Sequence, residues 1–227
     1  MIYVRGHPIR IFTMDEDDIT LYIAGGESAP CFRLEIEKTG THAVLGEVIR
    51  RNKCFADNST DSRNLVRAAY QVARDRGIRT LEITDNSVIY CPDRVILSDL
   101  SFLTTGKTWY ESIISLTCMD CPQLEQFRRK VLTNTWRTVG GEFRDIRITG
   151  IDIDAPGSAM QVLAAMKREG SYCRFFSDNI EALIYRSGIK TLHGKQWISY
   201  IANSTRARST ARRTSSGRRR TRRVTGV

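Results

Sequence analysis

The chain has 227 residues, a formal net charge of +10 and a hydrophobic fraction of 41%. That length suits one large domain, or one domain with an extension. No apolar run approaches the roughly 18 to 20 residues that span a bilayer. The first residues, MIYVRGHPIRIF, lack the charged and then apolar order of a secretory signal. We therefore expect a globular protein that has no transmembrane segment and is not secreted.

The N-terminal part of the chain predicts strands. Residues 10–12 and 19–23 flank an acidic turn at 15–18, as in a hairpin. Residues 32–37 alternate between apolar and charged side chains, which is typical of a sheet with one solvated face. Residues 43–49 are more continuously apolar, as in a central strand that is covered on both faces.

The clearest helix follows these strands. Residues 59–61 can cap it, an apolar stripe runs over residues 65–73, and Gly77 stands where a left-handed C-terminal cap is needed. Residues 80–84 then predict a strand and residues 85–87 a turn.

The second half of the chain predicts mostly helices, with a strand-like alternation of isoleucines in the middle. The helices are expected at 98–105, 109–116, 123–135 and 158–167, the alternation at 146–153, and a closing strand or short helix at 192–201. Strands first, then helix, strand and helix again, give a mixed α/β layer fold.

The C-terminal stretch, residues 205–227, is a basic arm without any carboxylate. Its nine arginines are Arg206, Arg208, Arg212, Arg213, Arg218, Arg219, Arg220, Arg222 and Arg223. Removing these nine charges from the formal +10 leaves residues 1–204 at +1, so the basic charge belongs to the arm. We expect residues 1–204 to form the α/β body, which alternatively divides into a core at 1–117 and an extension at 118–204.

Such an arm cannot bury enough apolar surface to order itself, so we expect it to be disordered alone. Guanidinium groups that pair with phosphates release counterions, which favours binding to nucleic acid or another polyanion. The arm can instead dock on acidic protein surfaces or serve as a localisation signal or a solvated tail.

Four strands, a helix, a strand and a helix, centred on VRAAYQVARDRGIRTLEIT, resemble the GNAT acetyltransferase fold. The segments LEITDNS, LSDLSFLTTGKTWYES and SGIKTLHGKQW are similar to parts of uncharacterised GNAT-like proteins of large nucleocytoplasmic DNA viruses. This resemblance implies a GNAT-like sheet flanked by helices and a virion-associated role, and it carries no established activity.

Active GNAT enzymes hold the coenzyme A pyrophosphate in a glycine-containing loop between the fourth strand and the helix. Here residues 50–59 contain no glycine, and without it the backbone cannot easily approach the phosphates. If the chain were nevertheless such an enzyme, the resemblance would make Glu47 the general base and Tyr110 the acid. Its cofactor-binding residues would then be Arg50, Arg51, Lys53, Asn58 and Ser59. A structural role for each of these residues is the alternative.

Gly106, Lys107 and Thr108 match the end of a P-loop, but Ser101 stands where that motif requires its first glycine. We expect a corner after a helix instead, with Trp109 and Tyr110 packed beneath the sheet.

Cys118 and Cys121 have the spacing of half a zinc site or of a redox pair, and Pro122 after them can open a helix. Other zinc ligands would have to come from distant single residues. The six cysteines are scattered, which predicts reduced, mostly buried, structural thiols. Zinc binding and redox activity remain the alternatives at this pair.

The sequence thus favours a non-enzymatic structural or interaction protein without a cofactor, such as a minor capsid or core component. Its partners would be nucleic acid or acidic protein surfaces, through the arm, and neighbouring subunits of an assembly. We expect it in the virion, or in the host cytoplasm or nucleus during assembly. The alternatives are an acyl-CoA-dependent N-acetyltransferase with an atypical cofactor loop and a nonspecific nucleic-acid-binding protein.

Overall fold

The computed structural model describes residues 2–4, 7–26, 29–38, 40–48, 62–91, 93–143, 146, 148–169 and 171–202. The glycine-free loop and the arginine arm therefore lie outside the described residues. The strands within them are β1 (Ile2–Val4), β2 (His7–Ile9), β3 (Ile11–Asp15), β4 (Ile19–Gly26), β5 (Ala29–Glu37), β6 (His42–Val48), β7 (Thr80–Thr84), β8 (Val88–Cys91), β9 (Asp93–Ile96), β10 (Thr117–Cys118) and β11 (Gln196–Tyr200). The helices are α1 (Ser62–Asp75), α2 (Leu97–Thr105), α3 (Leu124–Thr133), α4 (Trp136–Val139), α5 (Ser158–Glu169) and α6 (Cys173–Arg186).

Seven strands form one mixed sheet in the order β10-β11-β7-β6-β5-β4-β3. Neighbouring strands are antiparallel except β6 and β7, which are parallel and joined through α1. A parallel pair needs such a crossover because no short turn can return the chain to the same end of the sheet. The predicted mixed α/β class is therefore confirmed.

One face of the sheet and α1 form the first hydrophobic core. Phe32, Leu34 and Leu45 project from the strands, and Leu65 and Val66 from the helix, and all five are at most 1% exposed. The period of two in the strands and the helical spacing in α1 bring these apolar side chains together. Burying such side chains is worth roughly 1.5 to 3 kcal/mol each, which makes this layer the main stabilising unit of the sheet.

A second hydrophobic core lies among helices α2 to α6 and the β8–β9 hairpin. Its centre includes Phe102, Leu163 and Leu183, which are at most 1% exposed. The C-terminal half therefore packs helix against helix, while β10 and β11 return to the large sheet.

Two sequence-based predictions of elements are wrong. Residues 109–114 form turns rather than a helix, because the chain becomes extended at Thr117 to add β10 to the sheet. Among the described residues of 146–153 there is no strand, and Ile146, Ile148 and Ile151 all pack on the second core. These isoleucines therefore belong to a loop that covers the helices, and they do not lie in a β-strand.

The strands predicted at the N-terminal side, the helix after them and the strand at residues 80–84 are confirmed. Gly77 adopts a positive φ of 76° after α1, as its proposed capping role requires. Within the described residues, no helix is both long and apolar enough to cross a membrane.

Candidate functional site

The parallel strands β6 and β7 are paired over only part of the length of β6. Their register runs from His42 opposite Thr80 to Leu45 opposite Ile83, yet β6 continues to Val48. Relative to β5, strand β6 also contains one extra residue between Leu45 and Val48. A bulge of this kind bends a strand, and it lies just beyond the last residues at which β6 pairs with β7.

Asp85 follows β7 at this end of the sheet and is 0% exposed. Its Oδ1 atom accepts hydrogen bonds from the amide of Ser87, at 3.1 Å, and from the Ser87 hydroxyl. The backbone of Asp85 is held by Gly194 and Lys195, with N···O distances of 2.8 and 3.0 Å. The Oδ2 atom is buried and has no hydrogen-bond partner among the described residues.

This environment changes the acidity of Asp85. Burial raises its pKa from 3.8 to about 6, against the opposing effect of the hydrogen bonds from Ser87. Asp99 and Glu111 add a smaller repulsion in the same direction. Asp85 is therefore protonated more readily than a solvated aspartate, a property that is common among functional carboxylates.

Asp99, on α2, is a second buried carboxylate, and it anchors the segment that precedes β11. Its two oxygens accept hydrogen bonds from the Thr191 hydroxyl, at 2.6 Å, and from the Leu192 amide, at 2.7 Å. Burial raises the pKa of Asp99 as well. Residues 191–195 thus connect Asp99 with the backbone of Asp85. Three segments that are distant in sequence therefore meet around these two aspartates: 81–87, 97–112 and 187–197.

Tyr110 lies in the first core and is 4% exposed. Its ring meets that of Trp109 edge to face, with centroids 4.8 Å apart. Burial, and then the charge of Asp85, raise the pKa of the Tyr110 hydroxyl. The predicted packing of Trp109 and Tyr110 on this core is confirmed, and a hydroxyl that holds its proton so firmly is a poor acid.

The corner at residues 106–108 ends a helix, as predicted. Gly106 has a φ of 71°, and its amide caps α2 through the Phe102 carbonyl. A P-loop opens a helix, whereas this corner closes one. The Arg128 guanidinium holds the corner by donating to the Gly106 carbonyl at 3.0 Å and by pairing with Glu111.

The expectation of reduced thiols is wrong for the four cysteines whose bonding is described. Cys118 and Cys121 form a disulfide with a Cα–Cα distance of 5.5 Å, and Cys31 and Cys173 are disulfide-bonded as well. Sequence spacing could not reveal this, because pairing depends on how the fold orients the cysteines. Sulfurs joined in a disulfide supply no thiolate for zinc.

Of the candidate enzyme residues, Tyr110 is the one whose side chain lies within the described part of the chain. Glu47 lies on β6 in the bulged stretch, while its side chain is outside the described residues. Arg50, Arg51, Lys53, Asn58 and Ser59, and the nine arginines of the arm, are outside them too. Sequence analysis missed the buried carboxylates Asp85 and Asp99. For Asp85 the available signal was its position directly after a buried strand, where the sequence pattern predicts only a turn.

Comparisons with known proteins add no relative. No protein-family description, no curated protein and no solved structure matches this chain.

Proposed function

We propose that the chain is a structural or interaction protein, a virion-associated minor capsid or core component, held on a polyanion or an assembly by its arginine arm. The observation that carries the proposal is the separation of charge. Residues 205–227 contain nine arginines and no Asp or Glu, while residues 1–204 have a net charge of +1. A chain built in this way binds polyanions through one end and leaves the body available for other contacts.

A GNAT-like fold for the body is part of this proposal. It is supported by the strand order, in which one parallel pair is joined by a helix and the last strand inserts beside β7. The bulge in β6 also agrees with it. A fold does not carry an activity by itself, and the glycine-free loop at 50–59 argues against the usual cofactor contacts.

The virion assignment rests on the resemblance to viral proteins. The disulfide-bonded cysteines support it, because disulfides persist in oxidising surroundings such as those of an extracellular particle. A protein confined to a reducing cytosol would keep such pairs as thiols.

The test compares three forms of the protein on duplex DNA at about 50 and 200 mM salt. The full chain should bind without sequence preference, and engagement of about six phosphates gives a slope of log affinity against log salt near −5. Deletion of 205–227 should abolish this binding. Replacement of the nine arginines by glutamine, which keeps the length of the arm, should abolish it too. Unchanged DNA binding by the truncated protein would contradict the polyanion role.

Acyl-CoA binding is the second candidate function, and the helix-linked parallel pair of β6 and β7 favours it. Asp85, whose pKa burial raises to about 6, follows β7 at the end of this pair. Isothermal titration with coenzyme A distinguishes the two functions. The leading proposal expects no binding tighter than about millimolar. Micromolar binding that is lost on Arg51→Ala and Lys53→Ala, together with acetyl transfer, would replace it by the N-acetyltransferase.

A further inference from the structure

The disulfide between Cys118 and Cys121 stands at a junction between sheet and helix. Cys118 ends the edge strand β10, and α3 begins at Leu124 after Pro122. Thiol–disulfide exchange proteins use cysteine pairs of this spacing at the start of a helix. The pair therefore lies just before the start of a helix, close to the position that this chemistry uses.

The pair is accessible to a partner. Both cysteines are half-buried, and Met119 between them is 53% exposed. By contrast, Cys31 is 1% exposed within the first core. An incoming thiol can approach the Cys118–Cys121 bond without unfolding the body.

A purely stabilising role does not explain the pair well. Its sequence separation is only three residues. A loop this short removes little conformational entropy from the unfolded chain, and the stabilisation by a disulfide grows with the length of the loop.

Charged groups surround the two sulfurs. The Oδ1 atom of Asp120 is 3.5 Å from Cys118 Sγ and 3.9 Å from Cys121 Sγ, and its Oδ2 atom pairs with Lys195 Nζ at 3.0 Å. The carboxylate opposes formation of a thiolate, and the ammonium group offsets part of that opposition.

The start of α3 acts on Cys121. The Leu124 amide donates to the Cys121 carbonyl at 3.0 Å, and the Gln123 side chain makes no capping hydrogen bond. The Cys121 backbone therefore contacts the positive end of the helix dipole, which favours a negative charge nearby. Cys121 is accordingly the better leaving thiolate of the pair.

We propose that Cys118–Cys121 is a redox-active disulfide that oxidises a pair of thiols on a partner protein. A partner thiolate attacks Cys118 Sγ, the Cys118–Cys121 bond breaks, and Cys121 leaves as a thiolate that takes a proton from water. The second thiolate of the partner then attacks the partner's sulfur in the mixed disulfide, and Cys118 leaves as a thiolate. The partner loses two electrons and the pair gains them. A small disulfide such as oxidised glutathione restores the starting state.

The experiment incubates the oxidised full chain with glutathione buffers of increasing reducing strength. Thiols are alkylated, and the peptides around each cysteine are quantified by mass spectrometry. The 118–121 pair should be reduced while the protein stays folded and Cys31 and Cys173 stay disulfide-bonded. It should also exchange faster than the peptide of residues 117–123. The proposal is overturned if the pair is reduced only when the protein unfolds. It is also overturned if the pair exchanges no faster than the peptide.

Two variants separate exchange chemistry from structure. Asp120→Asn removes the opposing charge and should speed reduction by glutathione about fivefold. Asp178→Asn, the same change at an exposed position on α6, is the matched control and should leave the rate unaltered. In Cys121→Ser the Cys118 thiolate should attack oxidised glutathione, form a stable mixed disulfide and release one reduced glutathione. If Asp120→Asn does not change the rate, or if Cys118 is not modified in Cys121→Ser, the assignment fails.

Discussion

Asp85→Asn tests the buried carboxylate through the pH dependence of folding. Asp85 is completely buried, and its pKa rises from 3.8 to about 6 on folding. Between these two pH values the folded protein holds a proton that the unfolded chain has lost. The stability contributed by this proton is fully present below about pH 4 and is lost as the pH rises through about 6. A shift of about two pKa units corresponds to about 3 kcal/mol.

Asparagine imitates the protonated form of Asp85. Its Oδ1 atom can still accept from Ser87, and its amide nitrogen takes the position of the protonated oxygen. The free energy of unfolding of Asp85→Asn, minus that of the natural protein, should therefore rise by about 3 kcal/mol between pH 4 and pH 7.5.

Urea denaturation of the oxidised proteins at pH 4, 5, 6 and 7.5 measures this difference. Asp17→Asn makes the same change at an exposed site and accounts for the general effect of removing a carboxylate. A difference between Asp85→Asn and the natural protein that stays constant within about 0.5 kcal/mol would refute the reasoning. It would mean that Asp85 keeps its charge inside the fold.

Further substitutions test packing in the body of the protein. Glu111→Ala removes one of the two carboxylates paired with Arg128, at a side chain that is only 7% exposed, so unfolding in urea should require about 1 to 3 kcal/mol less free energy. A loss under 1 kcal/mol would show that this pair does not hold the corner. Gly157→Ala should destabilise by at least about 1 kcal/mol more than Gly150→Ala in the same assay. Both glycines have positive φ, but an added Cβ at Gly157 would lie 2.8 Å from the Leu132 carbonyl oxygen, while nothing lies within 4 Å at Gly150. Equal losses would contradict this close contact.

Much of the first layer is determined by the sequence alone. Alternation at residues 32–37, the continuous apolar run at 43–49 and the stripe at 65–73 correctly predict β5, β6 and α1. These patterns are local, because each residue's neighbours along the chain decide which face it occupies. The excess of arginines at the C-terminal end is equally a property of the sequence.

Only the tertiary structure decided the order of the sheet and the character of the site. The turn at residues 85–87 was predicted, but the burial of Asp85 depends on Lys195, which is distant in sequence. The same holds for Asp99, whose partners Thr191 and Leu192 come from the other end of the body. Local periodicity carries no information about which distant segment covers a side chain. Burial by such segments sets the pKa of a carboxylate and allows cysteines to form disulfides.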